Sequence, residues 1–308
     1  MRLSIAIAGL AMLCAPALAD EAQSKIGVIL STTGPAASFG IPEKNTIQLA
    51  EESDKSGKFK YVILDDASDP TSARKNVERL IAEDHVDAVI GASTTPSSLA
   101  MIEAVAKGKT AMMSVASSGR IVEPMDANRH WVFKASYNDN QLADVLVQYM
   151  KKSGVATAGY IGFNDAYGES WASTFESAAA AAGIKVVASE RYSPRDTSTV
   201  AQALKLMVAK PDAILIGASG TPAVLPETTL KGRGYTGQIY QTSGSTNTEF
   251  LRVGGKDVEG TILPAAPVLV SDQLRADHPS KKAAVAYRRA YEAKFGLGSI
   301  TVFGANTW

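Results

Sequence analysis

Short apolar runs alternate with helical segments along almost the whole of this chain, and that alternation restricts the fold more than any other feature. Strands are expected at 26–30, 60–64, 87–90, 110–115, 158–163, 185–188, 213–216, 239–241 and 261–263. Helical spacing fills the intervals. Ala73, Val77, Leu80 and Ile81 follow i, i+4, i+7, i+8, as do Val200, Leu204, Met207 and Val208. Leu142, Val145, Leu146 and Tyr149 follow i, i+3, i+4, i+7, and each set is expected to face a core. Asp69 with Pro70 marks a helix start, and Gly154 and Gly183 fall just past helix ends. Strands separated by crossover helices make parallel sheets covered on both faces. The rhythm runs twice, one series ending near 132–135 and the next following a helix opened by Asn138. Two α/β lobes fit this length better than one sheet of nine or more strands.

The amino terminus carries its own message. Met1-Arg2 is basic, residues 3–13 are apolar or small, and Ala17-Leu18-Ala19 precedes Asp20. This is the pattern of a secretory signal cut after Ala19. Its apolar run is shorter than the roughly 20 residues that span a bilayer. A lipoprotein signal would need a small residue before Cys14, where the large Leu13 stands. Removal of the leader takes away the only cysteine, so thiolate metal sites, thiol catalysis and disulfides are excluded from the mature chain. The 31 basic and 31 acidic residues of the chain balance, and no Lys/Arg run suggests nucleic acid or an anionic membrane. A neutral, cysteine-free exported protein suits a bacterial periplasm.

Several catalytic or cofactor signatures fail on context. Gly232, Gly234 and Gly237 form a G-x-G-x-x-G, but a helix is expected before it and a strand after it, the reverse of a phosphate-binding turn. P-loop, nucleophile-elbow and zincin motifs are missing, and His85, His130 and His278 lack metal-ligand spacing. Asp65, Asp66 and Asp69 stand where a strand ends and a helix begins, a place where carboxylates satisfy free N–H groups. No cofactor or metal is implied.

The loops after the strands carry a different signal. Hydroxyls and glycines recur in 31–35 and 38–40, in Ser93-Thr94-Thr95, in 116–119, in 164–168 and in Ser219-Gly220-Thr221. In open parallel sheets ligands bind beyond the carboxyl ends of the strands. A hydroxyl beside free N–H groups at a helix start suits a carboxylate. Phe39, Tyr137 and Tyr167 lie near the same ends and can wall an apolar cleft.

The segments KIGVILSTTGPAASFG, LDDASDPTSARKNVERLI, DAVIGASTTPSSLAM and GFNDAYGES together resemble the leucine/isoleucine/valine-type periplasmic solute-binding proteins of ATP-driven uptake systems. The likeness covers nearly all of the chain after the leader. It implies a type I periplasmic-binding-protein-like fold: two doubly wound parallel-sheet lobes joined by a multi-strand hinge. The first lobe is expected to comprise 20–136 and 266–308, the second 137–265, with crossings near 135–138 and 263–267. A third crossing is expected beyond Trp308, leaving the carboxyl-terminal part truncated and Val285, Tyr287 and Tyr291 uncovered. The resemblance places a carboxylate clamp on Thr95, Ala116 and Ser118, with Thr94 and Ser117 beside it. Phe39 and Tyr167 become walls, and Gly220 and Ser243 face the ligand from the second lobe. Where amino-acid binders hold an acid for the ligand's ammonium, this chain reads Gln241-Thr242-Ser243-Gly244.

The expected function is therefore periplasmic capture of a small carboxylate of the branched-chain amino acid class. An aromatic or aliphatic acid, an amide or urea remain as alternatives. The expected partner is the membrane permease of an ABC transporter, with no nucleic acid, no stable membrane insertion and a monomeric state. An exported α/β enzyme and a sensor without transport are the competing classes.

Overall fold

The computed structural model describes residues 23–308, so the leader and its cleavage point lie outside the described residues. The first sheet contains β1 (Ser24–Leu30), β2 (Phe59–Asp65), β3 (Ala88–Gly91), β4 (Ala111–Ser114) and β5 (Val132–Lys134), ordered β2-β1-β3-β4-β5. The second contains β6 (Thr157–Phe163), β7 (Lys185–Tyr192), β8 (Ala213–Gly217) and β9 (Gln238–Gln241), ordered β7-β6-β8-β9. Every pairing within both sheets is parallel. Parallel strands covered on both faces read as continuous apolar runs. The wholly buried Ala-Ile-Leu-Ile-Gly of β8 is such a run.

Helices α1 (Ala37–Ser53), α2 (Pro70–Ala82) and α3 (Thr95–Gly108) belong to the first sheet. Helices α4 (Asp139–Lys152), α5 (Ala166–Ala182), α6 (Val200–Val208) and α7 (Val224–Gly232) belong to the second. Start and stop chemistry follows the sequence. Asp69 Oδ1 accepts the Ser72 amide at 2.8 Å, and Gly183 closes α5 in the left-handed region at φ 78°. Asp65 Oδ1 accepts the amides of Thr32, Thr33 and Ala67, so this acid ties the β1 and β2 loops together. Gly232 ends α7, and Gly234 and Gly237 lie between it and β9, as a helix stop and turn.

Three expectations about strands and helix faces need correction. The buried stripe of α4 is Ala143, Leu146, Val147 and Met150, while Val145 and Tyr149 are exposed. Successive helical residues differ by about 100°, so a neighbouring stripe satisfied the same spacing. In α6 the buried residues are Ala203 and Leu206, with Leu204 and Val208 exposed. Residues 261–263 do not form a strand, since only a bridge joins Ile262 to Tyr240.

After β9 come α8 (Thr248–Gly254), α9 (Lys281–Phe295) and α10 (Val302–Ala305). The last two return to α1, where Leu49, Val268, Tyr287, Tyr291 and Val302 form one apolar cluster. Tyr287 and Tyr291, expected to stand uncovered, are buried. The Tyr287 hydroxyl meets Thr46 at 2.8 Å, and Asn45 donates to Tyr291 at 3.2 Å. Exposed apolar surface falls instead on Phe59, Met113 and Phe133 in the first sheet. No described helix is long and apolar enough to cross a membrane.

Candidate ligand-binding site

Two strand-to-helix turns, one in each lobe, put an aromatic ring into the space between the sheets. A Cβ on Gly40 would lie 2.2 Å from the Ser31 carbonyl oxygen, and one on Gly168 would lie 1.9 Å from that of Phe163. Only glycine lets α1 and α5 approach the ends of β1 and β6 this closely. Phe39 and Tyr167, the residues just before these glycines, line a shared cavity of about 250 Å³. Phe163, Tyr137 and Phe303 add further aromatic wall. Phe39 stacks on Phe303 at 4.1 Å between ring centroids. The Tyr167 hydroxyl donates to Thr242 Oγ1 at 2.9 Å, because the Thr242 proton is committed to the Ala218 carbonyl.

The polar end of the cavity forms at the start of α3. Thr94 caps the helix, its Oγ1 accepting the Ser97 amide at 3.3 Å, and Pro96 has no N–H. That leaves the amide and hydroxyl of Thr95, a residue only 2 % exposed. Its Oγ1 is buried without a hydrogen-bond partner. An unpaired buried hydroxyl costs about 1–3 kcal/mol, which an added hydrogen-bond acceptor would offset. A helix start favours an acceptor that is an anion.

Of the residues expected at the site, Phe39, Thr94, Thr95, Ala116, Ser117, Tyr167 and Ser243 line the cavity. Ser118 and Gly220 are not among the lining residues. The Ser118 hydroxyl is taken by Ser170 Oγ of the second lobe at 2.8 Å. A Cβ on Gly220, at φ 64°, would lie 3.0 Å from the Pro35 carbonyl oxygen and 3.4 Å from the Phe39 ring. Both are therefore lobe-to-lobe contacts. Ser243 stands in the lining, as does Asp165. Asp165 Oδ1 accepts the amides of Tyr167 and Gly168, and burial pushes its carboxyl upward. Glu227 lies away from the lining and pairs with Gln241 and Thr261. Arg195 is the one basic residue of the lining among the described residues.

Behind the cavity, next to the crossing at 135–138, lies a buried polar cluster. Lys134 Nζ donates to the carbonyls of Ser117 and Tyr137 at 2.6 and 2.8 Å. Asp139, 1 % exposed, accepts from Ser170 Oγ at 3.4 Å. Burial lifts its carboxyl to about 6, against the opposing pull of Ser117 and Lys134. No group of acidic or histidine side chains among the described residues has the arrangement of a metal site.

Comparison with known proteins places this architecture. Residues 23–308 match the family model for periplasmic binding proteins. The chain is similar to Leu/Ile/Val-binding protein homolog 3 of Brucella melitensis, with 28 % identity over 81 % of this chain and 69 % of the relative. It is similar to an extracellular ligand-binding receptor from Rhodopseudomonas palustris HaA2, with 40 % identity and a TM-score of 0.88. That match covers 93 % of this chain and 80 % of the receptor. It also shares its fold with a solute-binding protein of an ABC transporter from Rhodopseudomonas palustris BisB5, solved with 3,4-dihydroxybenzoic acid. That likeness has 20 % identity and a TM-score of 0.77, over 92 % of this chain and 77 % of the other. Since the family match runs through all the described residues, the chain belongs to the periplasmic binding protein family, whose members bind substrates and are not enzymes.

Proposed function

We propose that this protein captures a small carboxylate with an apolar or aromatic body and delivers it to the membrane permease of an ABC uptake transporter. The single observation that carries this reading is the Thr95 hydroxyl, buried and unpartnered at the start of α3 in a cavity walled by Phe39, Phe303 and Tyr167. The hydroxyl and helix start suit the anion, and the rings suit the body. Ligand enclosure draws the lobes together across contacts such as Ser118–Ser170, giving the permease a surface that spans both. The family match and the leader pattern expected at 1–19 both support export to the periplasm.

Ser243 in the lining disfavours a ligand ammonium, because a buried cation needs a charged partner. Asp165 supports a second reading, an α-amino acid of the leucine, isoleucine and valine class. Among the described residues it is the one acid of the lining, and its bonds to the Tyr167 and Gly168 amides use Oδ1.

A thermal-shift screen of the purified chain with leucine, valine, benzoate, 4-hydroxybenzoate and urea separates these readings. The first predicts stabilisation by the ammonium-free acids. Stabilisation by leucine and valine alone would establish the second, and stabilisation by urea alone would remove both.

A further inference from the structure

Two carboxyl groups lie buried behind the carboxylate end of the cavity, and the mechanism above does not use either of them. Glu43 on α1 and Asp66 after β2 are both fully buried. Asp66 Oδ1 accepts the Ser31 hydroxyl at 2.6 Å and the Ser68 amide at 2.9 Å. Glu43 Oε2 meets the Ser93 hydroxyl, and Ser93 Oγ also accepts the Ser31 amide at 2.9 Å. Glu43 Oε1 and Asp66 Oδ2 are buried without partners. Ser93 in turn lines the ligand cavity, next to Thr94 and Thr95.

The charged group facing Glu43 is Asp66, which has Asp65 beside it. From α9 and α10 the side chains packed against α1 include Val302, Phe303, the phenols of Tyr287 and Tyr291 on Thr46 and Asn45, and Lys294, which pairs with Glu52 near the far end of α1. Among the described residues no cation pairs with either carboxyl. Two buried carboxylates without a cation do not both ionise. Asp66, which accepts a backbone amide and a hydroxyl, suits the ionised form. Glu43, whose partner is a hydroxyl able to turn either way, suits the neutral form. Burial lifts the Glu43 carboxyl to about 8, opposed by Ser93 and reinforced by Asp66.

We propose that Glu43 is a proton-linked positioning residue that acts on the ligand's carboxylate through Ser93. With Glu43 neutral, its O–H donates to Ser93 Oγ. That oxygen then accepts from both Glu43 and the Ser31 amide, and its own proton turns to the ligand anion. With Glu43 ionised, the Ser93 proton is drawn back to Glu43, and the ligand carboxylate meets a bare oxygen and a second negative charge. Ligand affinity therefore falls as Glu43 loses its proton. This rests on the carboxylate reading of the cavity.

The test titrates benzoate and L-leucine into the full chain from about pH 6 to 9.5 by calorimetry. For whichever probe binds, wild-type affinity should fall roughly 10-fold across that range. Glu43→Gln, neutral and still a donor to Ser93, should keep the low-pH affinity and show no such fall. Ser93→Ala should bind more weakly and without the pH dependence. Parallel wild-type and Glu43→Gln profiles would overturn the proposal. If neither probe binds at any pH, the carboxylate reading itself fails, and the proton is followed in the ligand-free chain. There the melting temperature of Glu43→Gln relative to wild type should climb as pH rises from about 5 to 8. A difference that does not change with pH would overturn the assignment of the proton to Glu43.

Discussion

Ser118 of the first lobe and Ser170 of the second join their hydroxyls at 2.8 Å, in a buried position beside Asp139. Each hydroxyl has water as a partner once the lobes part, so the contact is available only when they are together. Removing one hydroxyl deletes a hydrogen bond present in the closed form alone, worth about 0.5–1.5 kcal/mol, while Ser170 keeps Asp139 and Ser118 keeps the Arg120 amide. Ser118→Ala or Ser170→Ala should thus weaken ligand binding by roughly 2- to 13-fold without touching the ligand. The double variant should lose little more than either single variant. A double-mutant cycle measured by calorimetry checks this, and additive losses would argue against a shared contact.

Adjacent threonines should separate stability from binding. Thr94 caps α3, whereas the Thr95 hydroxyl has no protein partner. Thr94→Ala should cost about 1 kcal/mol of stability. Thr95→Val keeps the shape, removes the unpaired hydroxyl and should raise the melting temperature, while weakening carboxylate binding by about 10- to 150-fold. Melting curves and titrations on the two variants give the comparison.

Much of this arrangement was legible in the chain. Phe39-Gly40 and Tyr167-Gly168 lie where an alternating pattern turns from strand to helix, and there glycine sets the approach and its neighbour faces the cleft. Phe303 was not legible as wall, because its meeting with Phe39 depends on the return of α9 and α10 to α1. Ser117 and Ser118 show a finer limit. Sequence places both in the loop after β4, but backbone direction sends one toward the cavity and the other to Ser170. The stripes of α4 and α6 were misplaced for a related reason: apolar residues occupy two neighbouring faces, and only packing selects one.

The ring pair itself is open to test. Phe303→Ala removes the partner stacked on Phe39 and enlarges the cavity. Aromatic pairing contributes about 0.5–1.5 kcal/mol beyond area burial. Ligands with an aromatic or bulky aliphatic body should lose affinity by about 2- to 13-fold, and acetate should lose little. Equal losses for benzoate and acetate would mean that Phe303 supports the fold and not the ligand.

Asp139 should give stability a distinct pH dependence. Its folded carboxyl titrates at about 6 against an ordinary 3.8, raised by burial. The folded form thus holds the proton more tightly than the unfolded chain. Stability from this group is full below about pH 4, falls as pH rises toward 6, and stays reduced above it. The difference amounts to roughly 3 kcal/mol. Asp139→Asn should raise the melting temperature at about pH 7.5 and leave it unchanged near pH 4. Lys134 keeps its two carbonyl acceptors in that variant. A gain of the same size at both pH values would contradict the assignment.

The central claim is that the cavity recognises a carboxylate at Thr95 and the start of α3, with no ammonium required. Titration of the purified chain with benzoate and with benzamide, its neutral isostere, tests this most directly. Hydrogen bonds to a charged group contribute about 1.5–3 kcal/mol, so benzoate should bind at least roughly 10-fold more tightly than benzamide. Equal affinities, or binding of leucine with no response to benzoate, would contradict the account.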